Sequence, residues 1–113
     1  MLPLLEQEEK LFSNIQKHLY KKVSEYIIKG YIFGSYAKGT ETEKSDLDIC
    51  LIVAKSNKNL DRILEALNTE YLNKYHLKIS PYVITQKEFL EKKGTELITH
   101  IEKEGIMLEG DDG

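Results

Sequence analysis

The chain has 113 residues, of which 31% are charged and 41% hydrophobic, and its formal net charge at pH 7 is −3. This balance excludes a disordered chain, and it excludes a strong field that would draw the protein to nucleic acid or to an anionic membrane. One cysteine excludes an internal disulfide, and the sequence has neither a secretory signal nor the ~20 consecutive apolar residues of a membrane span. We therefore expect a single cytoplasmic domain over residues 1–113.

Residues 4–28 are predicted to form a long amphipathic helix, because apolar residues recur at helical spacing while Glu and Lys occupy the other faces. Pro3 suits the first turn, and Gly30 is predicted to end the helix before the first strand. The apolar stripe is long for so small a core. Its first part either packs on the sheet or forms an interface with another protein. The stripe consists of Leu4, Leu5, Leu11, Phe12, Ile15, Leu19, Val23, Tyr26 and Ile27.

A Gly-Ser turn follows the short apolar run that ends at Phe33. Gly34 lets the backbone turn sharply because it has no Cβ. Ser35 is predicted to be the N-cap of one helical turn, whose free N–H groups attract phosphate oxygens, and Lys38 adds a point charge. Tyr36 either packs or stacks on a nucleotide base. A Gly-Ser pair alone most often marks an ordinary turn.

Two acidic residues open the next apolar run. Residues 46–53 are predicted to form a largely buried strand, on which Asp46 and Asp48 point to the same side, about 7 Å apart along the backbone. Paired carboxylates are ligands that Mg²⁺ prefers, and two such ions about 4 Å apart suit in-line phosphoryl or nucleotidyl transfer. An Asp-x-Asp pair alone is weak evidence, since it can simply solvate the start of a strand.

The remaining elements predict an α/β sandwich, with helices on one face of a small mixed sheet. The two acids are expected near one edge of the other face, which would stay broadly open. Three histidines lack metal-like spacing and are expected at the surface. The predicted elements are a helix over 57–75, a strand over 77–84, helical segments over 86–93 and 95–103 interrupted at Gly94, and a short strand over 106–108.

The combination of Gly34-Ser35, ten intervening residues and Asp46-Leu47-Asp48 is far more specific than either part. It resembles the signature of the minimal nucleotidyltransferases of the DNA polymerase β superfamily. The resemblance implies a polymerase β-like nucleotidyltransferase fold over the whole chain. It also implies that Ser35 and the Gly34 backbone hold a triphosphate, and that Asp46 and Asp48 ligate Mg²⁺.

The chain departs from this family at one point. Active members usually carry a third carboxylate on a later strand, and the matching segment over residues 77–84 contains neither Asp nor Glu. Ser80 is predicted to occupy the vacant position. Glu88 and Glu91 lie downstream, on a predicted helix. Nucleotide binding is therefore a firmer expectation than turnover.

Three functions remain open at this stage. The first is Mg²⁺-dependent transfer of NMP, with AMP from ATP as the expected case, to a protein or small-molecule acceptor. The second is a catalytically weak or inactive binding module, the antitoxin half of a pair with a helical HEPN-type protein. The third is modification of small molecules, as in aminoglycoside nucleotidyltransferases. Those enzymes usually carry an additional helical domain, for which 113 residues leave no room.

Overall fold

A four-stranded mixed sheet forms the centre of the protein. The computed structural model describes residues 2–42 and 44–110, with side chains from residue 9 onward. The strands are β1 (Lys29–Phe33), β2 (Leu47–Val53), β3 (Ile79–Thr85) and β4 (Ile106–Met107). Their order is β3-β2-β1-β4; β1 runs antiparallel to β2 and to β4, whereas β2 and β3 are parallel. The predicted mixed α/β sheet is confirmed.

The helices lie in the predicted order, with shifted ends. None of those described is long and apolar enough to cross a bilayer. Gly94, at φ +92°, separates the last two helices as predicted. The helices are α1 (Leu2–Val23), α2 (Ser35–Lys38), α3 (Lys58–Tyr75), α4 (Gln86–Glu91) and α5 (Glu96–Glu104), and a 3-10 turn over Ser24–Tyr26 follows α1.

The prediction that Gly30 ends the first helix is wrong. The helix stops at Val23, and Gly30 lies inside β1, opposite Leu51 of β2. A Cβ on Gly30 would lie only 2.8 Å from Cδ1 of Leu108. Glycine at this position therefore allows close packing between the sheet and the segment that follows β4.

The third strand begins at Ile79, two residues later than predicted, because the end of α3 uses the preceding residues. His76 adopts a left-handed conformation at φ +54°. Its N–H donates to the carbonyl of Leu72, and the N–H of Leu77 donates to the carbonyl of Tyr71. These two bonds satisfy carbonyls that the helix end would otherwise leave without partners.

The larger core lies between the sheet and the two long helices. A hydrogen bond of 2.7 Å between His18 Nδ1 and the Tyr71 hydroxyl links α1 to α3 on this side. The odd-numbered residues of β2 all point into this core. Its buried residues are Ile15, Leu19, Val23, Ile32, Leu47, Ile49, Leu51, Val53, Leu60, Leu64, Leu67, Tyr71, Leu77, Ile79 and Leu108.

The opposite face of the sheet is partly covered, which corrects the prediction of helices on one face only. The two short helices α4 and α5 pack on it through Phe89, Ile98 and Ile101, against Cys50 and Ile52 of β2. These helices are too short for a strong periodic signal, so the sequence did not predict which face they cover. The face that carries the even-numbered side chains of β2 is therefore enclosed near its centre.

Candidate functional site

The Gly-Ser turn joins the end of β1 to the start of α2. Gly34 has φ +74° and ψ −151°, a conformation that residues with a Cβ very rarely adopt. Gly34 itself occupies the N-cap position and Ser35 is the first helical residue, so the prediction of Ser35 as N-cap is wrong by one residue. No side chain caps α2. Because glycine has no side chain, the backbone at this turn is left accessible.

Asp48 lies directly against Gly34. A Cβ added to Gly34 would collide with Oδ2 of Asp48. The pairing of β1 with β2 explains the contact, since Phe33 and Asp48 are partners in the antiparallel ladder. The fold therefore brings the turn and the second acid of the motif together.

The two acids interact electrostatically at the start of β2. Asp46 immediately precedes the strand, and Asp48 alternates along it with Cys50 and Ile52, on the face that α4 and α5 partly cover. Burial raises the pKa of the Asp48 carboxyl, and the negative charge of Asp46 raises it further. A cation between the two carboxylates would relieve this repulsion.

The vacant position of the third acid lies beside Asp48, as predicted. In the parallel pairing of β2 with β3, Asp48 is the partner of Ser80. Neighbouring strands are about 4.8 Å apart, so the serine hydroxyl stands where a third carboxylate would adjoin the pair. Strand β3 carries no acid. Within the described part of the chain, no group of three or more His, Cys, Asp or Glu side chains is arranged to hold a metal ion.

Glu88 does not fill this vacancy, because it caps a helix. Its Oε1 accepts a hydrogen bond of 2.9 Å from the Thr85 hydroxyl, and its backbone N–H donates to the same hydroxyl oxygen at 3.1 Å. The hydrogen bonds that Glu88 Oε1 accepts from the Thr85 hydroxyl and from the Thr85 backbone N–H lower the pKa of Glu88. The arrangement is a capping box at the start of α4. Glu91 is the last residue of the same helix.

Lys38 is paired with an acid that the sequence analysis did not single out. Its Nζ lies 3.3 Å from Oε2 of Glu104, at the end of α5. No local pattern signals this pair, because the two residues meet only through the packing of α5 on β1. A pocket of about 190 Å³ lies between Gly34 and this ion pair.

Tyr36 packs on α1, which is one of its two predicted roles. Its ring lies parallel to the ring of Phe12, with centroids 6.1 Å apart. Burial is the main cause that raises the pKa of Tyr36, followed by the charges of Glu41 and Asp46. The two rings line a groove of about 840 Å³ that also includes the exposed Leu11. Leu4 and Leu5, predicted to extend this apolar stripe, lie outside the residues whose side chains are described.

The family model of the nucleotidyltransferase domain matches residues 10–108. The chain belongs to this family. Two relatives from Methanocaldococcus jannaschii are candidate protein adenylyltransferases. MJ1305 is 31% identical over an alignment of 102 residues that covers 83% of this chain and 69% of the relative. MJ0604 is 32% identical over 101 residues, which are 89% of this chain and 97% of the relative.

Solved structures with this fold include two crystal structures of toxin-antitoxin systems. One is a mutant of the MntA-HpeT pair, with a TM-score of 0.57 and 20% identity. The other is a toxin-antitoxin with AMP-PNP, with a TM-score of 0.57 and 22% identity. Each match covers 86% of this chain and 74% of the solved chain. At this identity the likeness concerns the fold alone, and it agrees with the predicted polymerase β-like nucleotidyltransferase fold.

The contact between Gly34 and Asp48 predicts a specific cost for a side chain at position 34. Gly34→Ala should destabilise the fold by roughly 1–3 kcal/mol through backbone strain, with an added cost from collision with the Asp48 carboxylate. Gly39→Ala is the matched control, because Gly39 also has φ +74° but a Cβ there would meet nothing within 4 Å. Urea denaturation should show the larger loss for Gly34→Ala.

The double variant Gly34→Ala/Asp48→Ala isolates the collision. Removing the carboxylate should recover part of the loss caused by Gly34→Ala, whereas Asp48→Ala should recover none of the loss caused by Gly39→Ala. Additive losses in both pairs would contradict the contact as the reason for glycine.

Proposed function

We propose that this nucleotidyltransferase domain binds ATP with Mg²⁺ at the Gly-Ser turn and transfers AMP to a hydroxyl or amine of a protein acceptor. The new bond to the α-phosphorus replaces the α–β phosphoanhydride bond, and pyrophosphate leaves. The observation that carries the proposal is the contact between Gly34 and the Asp48 carboxylate. A phosphate-binding turn and a metal-binding acid must lie side by side for one nucleotide to engage both. Membership of the nucleotidyltransferase family supports the same reaction class.

Each site residue has a separate role in this proposal. The backbone N–H groups at Gly34 and Ser35 hold phosphate oxygens, and Lys38 adds a positive charge. Asp46 and Asp48 hold Mg²⁺, which fits their hard oxygen donors. Burial raises the pKa of Asp48, and repulsion from Asp46, which a cation would relieve, raises it further. When bound, Mg²⁺ would neutralise phosphate charge and orient the triphosphate for in-line attack.

Ser80 is the reason to expect slow or partner-dependent transfer. A serine hydroxyl is a far weaker base than a carboxylate, and it adds no negative charge to the metal site. General-base catalysis alone is worth roughly 10²–10⁴-fold in rate. If no other group supplies this function, the chain acts as a nucleotide-binding and partner-binding module, which is the alternative function.

The acceptor is proposed to be a second polypeptide, specifically a helical HEPN-type protein for which this chain acts as antitoxin. The names of the two relatives support protein adenylylation, and the fold neighbours from toxin-antitoxin systems support a paired partner. The groove beside Phe12 and Tyr36 provides a surface for that partner. Leu11 on its rim is 43% exposed, so part of its apolar side chain is accessible to a partner.

The acid pair should be required for metal-dependent ATP binding. In calorimetry with Mg²⁺, Asp46→Asn/Asp48→Asn should bind ATP at least roughly tenfold more weakly than the wild type, since even indirect partners of metal ligands are worth that much. EDTA should weaken wild-type binding and leave the variant unchanged. Asp61→Asn removes an acidic charge at the start of α3 and serves as the control. Equal affinity of the double variant and the wild type would refute the assignment.

Restoring the third carboxylate should strengthen the metal site. Ser80→Asp should raise Mg²⁺ affinity and the rate of AMP transfer, because it places a third acid beside Asp48. Without Mg²⁺ the same variant should be less stable than the wild type, since three like charges then repel. Ser80→Asn, similar in size and uncharged, should show neither effect. Rapid transfer by the wild type alone would contradict the role given to this vacancy.

Binding and modification of a partner protein should require the groove beside Phe12 and Tyr36. Co-expression with the protein encoded next to this gene, followed by co-purification and mass spectrometry, should reveal a stable complex or an AMP adduct on the partner. Leu11→Lys should weaken both, whereas Leu90→Lys, which changes an exposed leucine on the opposite face, should not. Failure to capture any partner, with no adduct on the neighbouring protein, would contradict a protein acceptor and favour a small-molecule acceptor.

A further inference from the structure

The pocket beside the Gly-Ser turn is enclosed on one side by an ion pair. It is lined by Phe33, Gly34, Lys38, Leu97, His100 and Glu104. Phe33 packs with the cluster that covers the α4–α5 face of the sheet, and its ladder partner is Asp48. The pocket therefore adjoins the same end of β2 that carries the acid pair.

Both the backbone and the side chain of Lys38 make contacts at this pocket. Its backbone N–H donates to the Gly34 carbonyl at 3.2 Å, so its main chain is fixed one turn from Gly34. Its side chain crosses to α5, where Nζ lies 3.3 Å from Oε2 of Glu104. Both side chains remain about half exposed, at 48% and 44%, so the ammonium is free to exchange partners.

Glu104 is held ionised by its neighbours. The hydrogen bond from Lys38 is the main cause that lowers the pKa of Glu104, and His100 contributes further. His100 Nδ1 lies 3.6 Å from the same Oε2. This oxygen therefore keeps the His100 ring as a neighbour when the lysine leaves.

A triphosphate at the Gly-Ser turn would compete with Glu104 for the lysine. The ammonium is a compact point charge, and moving it to a phosphate oxygen breaks its contact with the carboxylate. The carboxylate also repels the incoming phosphate charge. The loss of the contact between Lys38 and Glu104 and the repulsion of phosphate by Glu104 both weaken nucleotide binding.

On the basis of the proposed nucleotide site, we propose that Glu104 is a positioning residue that holds Lys38 away from the phosphates and thereby lowers the affinity for nucleotide. Binding of the triphosphate releases Lys38 from Glu104. Since Glu104 ends α5, which packs on β1 through Ile98 and Ile101, the C-terminal part of the chain sets the affinity of a site formed by the N-terminal part.

Calorimetry with ATP and Mg²⁺ tests this role. Glu104→Gln should bind ATP roughly 1.5- to fivefold more tightly than the wild type, as expected from the free energy of an exposed ion pair. In a Lys38→Met background, the same substitution should change the affinity far less. Glu102→Gln on the same helix is the matched control, because it removes one acid that pairs with Lys93, with Nζ 3.7 Å from Oε2, outside this pocket.

Each outcome separates this role from a general charge effect. Equal tightening by Glu102→Gln and Glu104→Gln, or tightening that persists fully without Lys38, would overturn the role and leave only long-range electrostatics. Weaker binding by Glu104→Gln would also overturn it. If wild-type protein binds no ATP at all, the proposed function fails together with this inference; if wild type binds and Glu104→Gln binds no tighter, only the inference fails.

Discussion

The carboxylate of Asp48 occupies the space that a side chain at position 34 would need, and the site is built around this contact. The antiparallel pairing of Phe33 with Asp48 fixes it, because the last residue of β1 stands opposite the second residue of β2. Gly34 then turns the chain away at φ +74° without a Cβ to displace the acid.

Burial of Asp48 and the nearby charge of Asp46 determine the electrostatics of the acid pair. Burial and the charge of Asp46 both raise the pKa of Asp48, so the fold binds a proton there more tightly than the unfolded chain does. The stability that this proton contributes is present at low pH and is lost as the pH rises through the raised pKa. A divalent cation would offset that loss at neutral pH, and the N–H groups of the turn would receive the phosphate charge that accompanies it.

The position without a carboxylate is also set by a local pairing between two strands. Ser80 adjoins Asp48 in the parallel pairing, so the position at which the family resemblance implies a third carboxylate lies next to the acid pair. A site that has the turn and the two acids but no third carboxylate is expected to bind nucleotide better than it turns it over. A protein of this kind can serve as a slow transferase or as a partner-binding module, and the exposed rim of the groove at Leu11 is compatible with either.

Local patterns predicted the site better than its surroundings. The Gly-Ser turn and the acid pair follow from turn chemistry and from the twofold alternation of strands, which operate over a few residues, whereas Ser80 was assigned from the resemblance to the family. Gly30 was misassigned because its role depends on Leu108, far away in the sequence. The partner of Lys38 was missed for the same reason, since Glu104 reaches it only through the packing of short helices on the second face.

The most direct test of the central claim is to locate a bound ion. A crystal structure of the protein with Mn²⁺ and a non-hydrolysable ATP analogue would reveal Mn²⁺ by its anomalous scattering. We expect Mn²⁺ bound by the carboxylates of Asp46 and Asp48, with phosphate oxygens against the backbone at Gly34 and Ser35. An ion bound elsewhere, or a nucleotide seated in the groove beside Phe12 with no metal at the acids, would contradict it.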